Sequence, residues 1–488
     1  MNLFRPLATL GSIVCFSVLL SIWTSCSKDG KDENVPPVIL RDSAKLITYF
    51  SITKAGDVAL DLKEVGVEIK SDSILVAVPA GTDLTKMTPA ITFKGVILTP
   101  SATVAQDFSQ PVTYTVIAED STSHKYVVVV KKRPISNMVF VGGGGNNKSF
   151  YALNAVTGAK IWEYTGTKGF DYSCAAFKDS IVYVGGLDNY VYAFHALTGQ
   201  VLWKVLTGST GIEAPVTVDG NTVYVGCNDD IFYALDAQTG KEKWRYNTFG
   251  NISTGAVVVN GTVYFGCSDG RVYALNAESG KLKWFYAAFD MINASGPAVV
   301  NGVVYFGSRD KYLYAIDANT GAHLWWYNCG VSLEMSSPTV VNGVVYIGGW
   351  YDVSNFNKAG SLFAINATTG ALVWEKLPNT GFSSSPVVSN GMLYISADGG
   401  NFNAINTTTG DVAWSKRILP NGADPTVADG VVFVGGGGNF GFFRAYDAAT
   451  GAEKWKFDTN NTALTFSGPL VLDSLGKAHY PGASGMQQ

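Results

Sequence analysis

Arg271-Val272-Tyr273-Ala274-Leu275-Asn276-Ala277-Glu278-Ser279-Gly280-Lys281-Leu282-Lys283-Trp284 is the stretch that decides the fold. A β-prone run leads into a polar turn, the turn closes on Gly280, and a second run carries Trp284 four residues later. The pattern Ala-x-(Asn/Asp)-Ala-x-Thr-Gly-x-x-x-Trp recurs, loosely in places, across residues 152–455. Its tryptophans are Trp162, Trp203, Trp244, Trp284, Trp325, Trp374, Trp414 and Trp455, at spacings of 41, 41, 40, 41, 49, 40 and 41. Each follows its glycine at the same offset: Gly158, Gly199, Gly240, Gly280, Gly321, Gly370, Gly410 and Gly451. Eight matches at one offset are an internal repeat, to be interpreted before any single segment.

One unit, residues 255–287, divides into four short strands. Ala256-Val257-Val258-Val259 is the first, and Asn260-Gly261 supplies a hairpin turn. Thr262 to Gly266 is the second, followed by a turn at Ser268-Asp269-Gly270. Arg271 to Asn276 is the third, and Lys281 to Tyr286 the fourth. The glycine before the tryptophan is expected at positive φ. Asn276 and its equivalents are placed to cap the turn through a side-chain hydrogen bond. The tryptophan is expected between neighbouring units, burying roughly 150–250 Å². No helix-period segment separates the strands, which excludes a βαβ arrangement. A four-stranded unit of this length is a propeller blade.

Closure can be read at the two ends. The first unit opens at Met138-Val139-Phe140-Val141, a second strand with no first strand before it. After the last tryptophan, Ser467-Gly468-Pro469-Leu470-Val471-Leu472-Asp473 copies the first strand Ser295-Gly296-Pro297-Ala298-Val299-Val300-Asn301. The C-terminus is therefore expected to supply the inner strand of the first blade, which removes exposed sheet edges. Residues 474–488 receive no assignment. The fold expected is all-β: an eight-bladed β-propeller over 138–481, closed by its C-terminal strand and preceded by an immunoglobulin-like β-sandwich.

Composition agrees. The 488 residues include 54 Gly and 17 Pro, with 47% apolar, 12% aromatic and 15% charged residues, which suits a tightly turned β protein and argues against disorder. The net charge of −4 is small, and scattered Lys and Arg argue against a nucleic-acid or anionic-membrane surface.

Residues 1–25 read as a secretory signal, with Arg5 ahead of an apolar run from Leu7 to Trp23. Small residues just before Cys26 resemble a bacterial lipoprotein signal, in which that cysteine is lipidated; Trp23 departs from the usual aliphatic residue. Residues 26–43 then form a lipidated tether. Residues 44–133 lack the tryptophan repeat. Val112 to Ala118 and Tyr126 to Val130 alternate as a hairpin, and Ile74 to Val78 and Ile91 to Phe93 are further strands. About 90 residues of short strands point to a sandwich. Val104-Ala105-Gln106-Asp107-Phe108 and Pro111-Val112-Thr113-Tyr114-Thr115-Val116 resemble the immunoglobulin-like modules of Bacteroidetes surface lipoproteins, which implies a spacer.

The turn-and-tryptophan motif over 138–481 is similar to the PQQ-like repeat of quinoprotein dehydrogenases and of the outer-membrane assembly propeller lipoproteins. The second resemblance implies a non-catalytic scaffold in the envelope, anchored by lipid to the outer membrane on its periplasmic or cell-surface side. The first implies a PQQ-dependent oxidoreductase, whose activity needs calcium or a lanthanide, a general-base Asp and commonly adjacent cysteines. No Cys-Cys pair is present and no such active-site residue maps onto this chain. No catalytic, metal or cofactor residue is therefore assigned, and PQQ with calcium belongs to the enzyme alternative alone. Cys227 and Cys267 occupy one repeat position in adjacent units. Packed sheets lie about 10 Å apart, whereas a disulfide needs Cα atoms within about 7 Å, so free thiols are expected. The histidines His124, His195, His323 and His479 show no metal-ligand spacing, and His195 takes a turn position. Ser383-Ser384-Ser385 has no identifiable triad partner.

The place for a ligand follows from strand direction. The loops between second and third strands share one end of the blades with the crossovers; the Asn-Gly and Thr-Gly turns share the other. The sixth unit adds about eight residues in its loop, Gly349 to Gly360, with Trp350, Tyr351, Asp352 and Phe356 as a binding ridge. The crossovers add Tyr172, Glu213, Asn293, Glu334 and Asp424 near the channel mouth. The leading expectation is a binding or scaffold lipoprotein that engages an envelope protein or cell-surface component. The alternatives are a glycan- or polymer-binding surface protein and the quinone-dependent dehydrogenase.

Overall fold

The computed structural model describes residues 42–56, 58–60, 65–144, 146–208, 210–352, 355–377, 380–418, 423–436, 441–459 and 468–482, with the backbone alone for 58, 351, 352 and 355–359. The leader, Cys26 and most of the tether fall outside the described residues. Every regular element among those described is a β-strand.

The repeat folds as read. Residues 255–287 give Val257–Val259, Thr262–Gly266, Arg271–Asn276 and Leu282–Ala287, hydrogen-bonded in sequence as an antiparallel sheet. Six other units make four-stranded sheets in the same way. In the unit with the long loop, the insertion forms a two-stranded hairpin, Tyr351–Asp352 with Asn355–Ala359, outside the main sheet. The sheets, numbered one to eight along the chain, are stacked as a β-propeller.

The tryptophans hold the sheets together. Each indole Nε1 donates to a turn carbonyl of the next sheet at 2.7–3.1 Å, from Trp162 to Ala196 through Trp414 to Ala448. Trp455 donates to Ala155 of the first sheet at 2.9 Å, so the series returns to its start. The turn glycines lie at φ of 68–72°. Glycine is required there twice over, because a Cβ on Gly280 would also sit 2.6 Å from the ring of Trp244. In every sheet but the second, where His195 takes the position, an Asn or Asp ahead of the glycine caps the turn: Asn276 Oδ1 accepts from the amides of Glu278 and Ser279 at 3.1 and 2.8 Å. The Thr320 hydroxyl is the main reason the Asp317 carboxyl lies below the usual carboxylate range.

The tail completes sheet one. Leu470–Leu472 pairs antiparallel with Met138–Gly142, and its three side chains are fully buried. The chain then turns, and Ala478–His479 adds a further strand beside Leu470–Leu472. Tyr480 donates to the Phe177 carbonyl in sheet two at 3.3 Å, and Gly482 lies against Pro386 of sheet seven. Residues 478–482, which the sequence left unassigned, therefore run along the inner strands and line the lumen.

The N-terminal module has two sheets. Leu46–Ala55 pairs with Val58–Ala59 and Met87–Lys94 in one. The other orders Gly66–Ile69, Ser73–Val78, Ser123–Lys132, Val112–Ile117 and Ile97–Thr99, with Ser73–Val78 parallel to Ser123–Lys132. A common core, including Phe50, Ile74, Tyr114 and Val128, joins them. The hairpin and both extra strands read from the sequence are present; the long first strand and the parallel pairing were not anticipated.

Candidate binding face

At the loop end, a crossover leaves the last strand of one sheet and drops into the first strand of the next. In the first six sheets an apolar residue of the following crossover covers the glycine that ends the second strand. Phe170 covers Gly142, Ile212 covers Gly185, and Ile292 covers Gly266. A Cβ at any of these glycines would come within 2.3–2.5 Å of the covering residue. A crossover hydroxyl then accepts from the amide at the end of the second strand: Ser173 from Gly185, Thr254 from Gly266, Ser336 from Gly348 and Ser384 from Ser396, each at 3.0 Å. This staple was missed in the sequence, where its signal is a Ser or Thr two or three residues after the covering residue.

The crossovers also bond to one another around the mouth. Ser253 Oγ donates to the Asn293 carbonyl at 3.1 Å, and the amides of Ala294 and Ser295 donate to the Glu334 carbonyl at 2.9 and 2.8 Å. Ser337 N donates to Ser385 Oγ at 3.0 Å, and Ser385 N to Asp424 Oδ1 at 2.5 Å. The serines of the Ser383-Ser384-Ser385 run are thus all engaged, Ser383 donating to Asp398.

The residues nominated from the sequence divide by exposure. Glu334 and Asp424 are each only 6% exposed and belong to the wall of the mouth. Burial raises the Glu334 carboxyl above the usual range, against the opposing pull of Arg309, whose Nε lies 4.0 Å away. Glu213 and Asn293 are half-buried, and Tyr172, at φ 65°, is exposed. Tyr172 and Glu213 lie close enough for the Glu213 charge to help raise the phenol, after burial as the main cause. Trp350 does not stand free: its side chain hydrogen-bonds the Asp398 carboxylate of the next sheet, whose burial raises it above the usual range. Tyr351 and Asp352 lie in the inserted hairpin; Phe356 is in its return strand. The ridge and the crossover residues share the loop end, and the Trp350 amide donates at 2.9 Å to the carbonyl of Ser332, in the crossover that carries Glu334.

The lumen keeps a cavity of about 450 Å³ between the first strands of sheets six to eight and the tail. Its lining sets five valines beside Thr339, Ser389, Asn390, Asp429 and His479, and His479 pairs with Asp473 at 2.9 Å. The cysteines Cys174, Cys227, Cys267 and Cys329 are buried free thiols, as expected. Burial pushes the Cys227 and Cys267 thiols up to about 12.

Comparison with known proteins agrees with this architecture. The family model for the outer membrane protein assembly factor BamB matches residues 146–291, 287–359 and 358–477. The SGBP N-terminal model matches residues 47–130. Among curated proteins, none matches the chain. BamB from Moraxella catarrhalis has a similar structure, with 20% identity, TM-score 0.53, and coverage of 62% of this chain and 92% of that one. The computationally designed Ika8 protein is similar at 17% identity and TM-score 0.52, covering 64% and 96%. A europium-containing methanol dehydrogenase is similar at 16% identity and TM-score 0.54, covering 62% and 81%. These likenesses establish the fold. An assembly factor, a designed protein and a dehydrogenase share it, so function has to be argued from the face.

Proposed function

The chain belongs to the family of the outer membrane protein assembly factor BamB, and from that premise we propose a non-catalytic binding or scaffold protein of the bacterial cell envelope. The propeller is read as a closed ring of eight blades sealed by the tail, on an immunoglobulin-like spacer, exported and anchored through lipid at Cys26. The loop end engages an envelope protein. The observation that carries this reading is the asymmetry of the two ends. The turn end repeats one Gly–Trp geometry in every sheet, whereas the loop end holds the inserted hairpin and the half-exposed crossover residues Glu213 and Asn293. Departures from a repeat at one end, on loops held by a rigid scaffold, are where recognition is placed.

A glycan-binding reading has separate support in the match of residues 47–130 to the SGBP N-terminal model. The dehydrogenase reading has less. A tricarboxylate quinone with its metal ion needs cationic side chains and a set of oxygen ligands. The described cavity offers hydroxyl and amide oxygens of Thr339, Ser389, Asn390 and Tyr480, a single carboxylate, Asp429, and a His already paired with Asp473, but no Lys or Arg, and the tail occupies part of the space. Those residues do not fit the group, and no step is derived through it.

The test is capture from detergent-solubilised envelopes with the full chain as bait. A co-purifying β-barrel protein, lost on Glu213→Lys/Asn293→Lys substitution, is the expected result. Reduction of a dye on addition of quinone, calcium and an alcohol would replace this reading with the enzyme.

A further inference from the structure

The repeat serves as its own control for which surface residues the fold needs. The residue after each repeat tryptophan points outward from the fourth strand. It is Glu163, Lys204, Arg245, Glu375, Ser415 or Lys456 in six sheets, but Phe285 in sheet four and Trp326 in sheet five. Five residues after the tryptophan, sheets one, two and five carry Thr167, Gly208 and Gly330, whereas sheets three and four carry Phe249 and Phe289. Sheets six, seven and eight carry Asn379, Leu419 and Asn460 there, so an aromatic ring is found at this position in sheets three and four alone, and the architecture does not require one. Yet Phe249, Phe285, Phe289 and Trp326 are 82%, 50%, 75% and 48% exposed. Single exposed apolar residues are ordinary, but four on consecutive sheets form a patch that asks for a ligand.

The rings are held in two related stations. In the first, the Arg271 guanidinium lies between Phe249 and Phe285, 5.5 and 5.1 Å from their centroids. In the second, Trp326 lies 6.1 Å from Phe289 and 4.8 Å from His323. Cation–π and tilted ring contacts of this kind fix the ring planes before a ligand arrives. The stations are one repeat apart, so a ligand spanning both needs a periodic structure of its own.

We propose that this strip binds a neutral polysaccharide chain, each station stacking on the apolar C–H face of a sugar ring. The proposal deepens the binding reading above, on which it rests for the choice of end. Charge and polarity select the ligand. Arg271 is paired with Asp269 at 3.1 Å, which leaves no free positive field for a polyanion. The exposed Asp290 carboxylate next to Phe289 would have to leave water if the strip entered a lipid surface, at a cost that two phenylalanines do not offset. Sugar hydroxyls, by contrast, hydrogen-bond to such groups at the edge of the ring they stack on.

The test is affinity electrophoresis of the full chain in detergent, through gels holding a β-glucan, a mannan, a xylan or a starch, with polygalacturonate as the anionic comparison. Retardation in at least one neutral gel is expected. Phe249→Ser/Phe289→Ser/Trp326→Ala should weaken it at least about tenfold, the loss expected for about 1.4 kcal/mol of stacking, with an unchanged melting temperature. Ser415→Ala should leave it intact. Four neutral gels without retardation, retardation by polygalacturonate alone, or equal binding by the triple variant would overturn the proposal. Flotation with phosphatidylethanolamine–phosphatidylglycerol vesicles that is lost in the triple variant would overturn it in favour of a lipid surface. Envelope capture separates the two readings: the triple variant should still capture the barrel partner, and if capture is lost along with retardation the strip is a protein interface instead.

Discussion

The two ends of the propeller sheets are built from the same strands but use repetition differently. At the turn end every copy is the same device: a glycine at positive φ, an indole of the preceding sheet against it, and that indole's N–H on a carbonyl within the turn. At the loop end only the covering residue and the hydroxyl staple recur, and the intervening positions vary from Tyr172 to Glu213 to Asn293. The difference teaches that the repeat constrains what joins one sheet to the next. Positions outside that join are free to differ, and the exposed ones are where recognition can be built.

That contrast can be broken most forcefully at the seam. Deleting residues 467–488 removes the inner strand of sheet one and the burial of Leu470, Val471 and Leu472. At roughly 1.5–3 kcal/mol per buried side chain, the expected loss is at least about 5 kcal/mol, measured by urea unfolding. A chain that melts like the intact one would show that the ring does not depend on its tail.

Next in size is the Trp belt. Trp162→Ala should cost about 3–5 kcal/mol, because the 9%-exposed ring and its 2.7 Å hydrogen bond to Ala196 are both lost. The same substitution at Trp326, exposed at the same strand position plus one, should change stability by no more than about 0.5 kcal/mol. Similar losses at both sites would erase the distinction between joining and free positions.

Gly280→Ala is expected to cost about 1–3 kcal/mol, from strain at positive φ and the overlap with Trp244. Gly261→Ala isolates the first of these, since φ is 70° there and nothing lies within 4 Å of the added methyl. The difference between the two melting temperatures measures the close approach alone.

The smallest effect is electrostatic. Burial raises the Glu334 carboxyl, so the folded state holds its proton more tightly than the unfolded state does. Stability contributed by this group is therefore present below the ordinary glutamate range and lost as pH rises through the raised value. Glu334→Gln should match the wild type at pH 4 and be more stable at pH 8 by up to about 1 kcal/mol, the scale of one pKa unit. A variant less stable at pH 8 would show that the Arg309 pairing outweighs burial.

Much of this was legible because it repeats. The Gly–Trp offset, the capping Asn or Asp and the missing first strand are all visible in one sequence, since each copy tests the others. The staple hydroxyls escaped because the crossovers place them two or three residues after the covering residue, so that no fixed offset marks them. The tail from Ala478 to Gly482 escaped because it copies nothing. At the loop end, length drew attention to Trp350, whose partner Asp398 lies 48 positions away in the next sheet. The aromatic strip at Phe249 and Phe289 sits on crossovers of ordinary length, so that loop length does not mark it. In the N-terminal module, alternation marked the hairpin at Val112–Ile117, while the parallel pairing of Ser73–Val78 with Ser123–Lys132 leaves no local signal.

The claim that one end builds and the other binds is tested most directly by photo-cross-linking in intact envelopes. A photoreactive residue placed at Asn293 on the loop end is compared with one at Asn260 in the turn between first and second strands. A discrete cross-linked partner from Asn293 and none from Asn260 is the predicted result; a partner from Asn260 alone would contradict it.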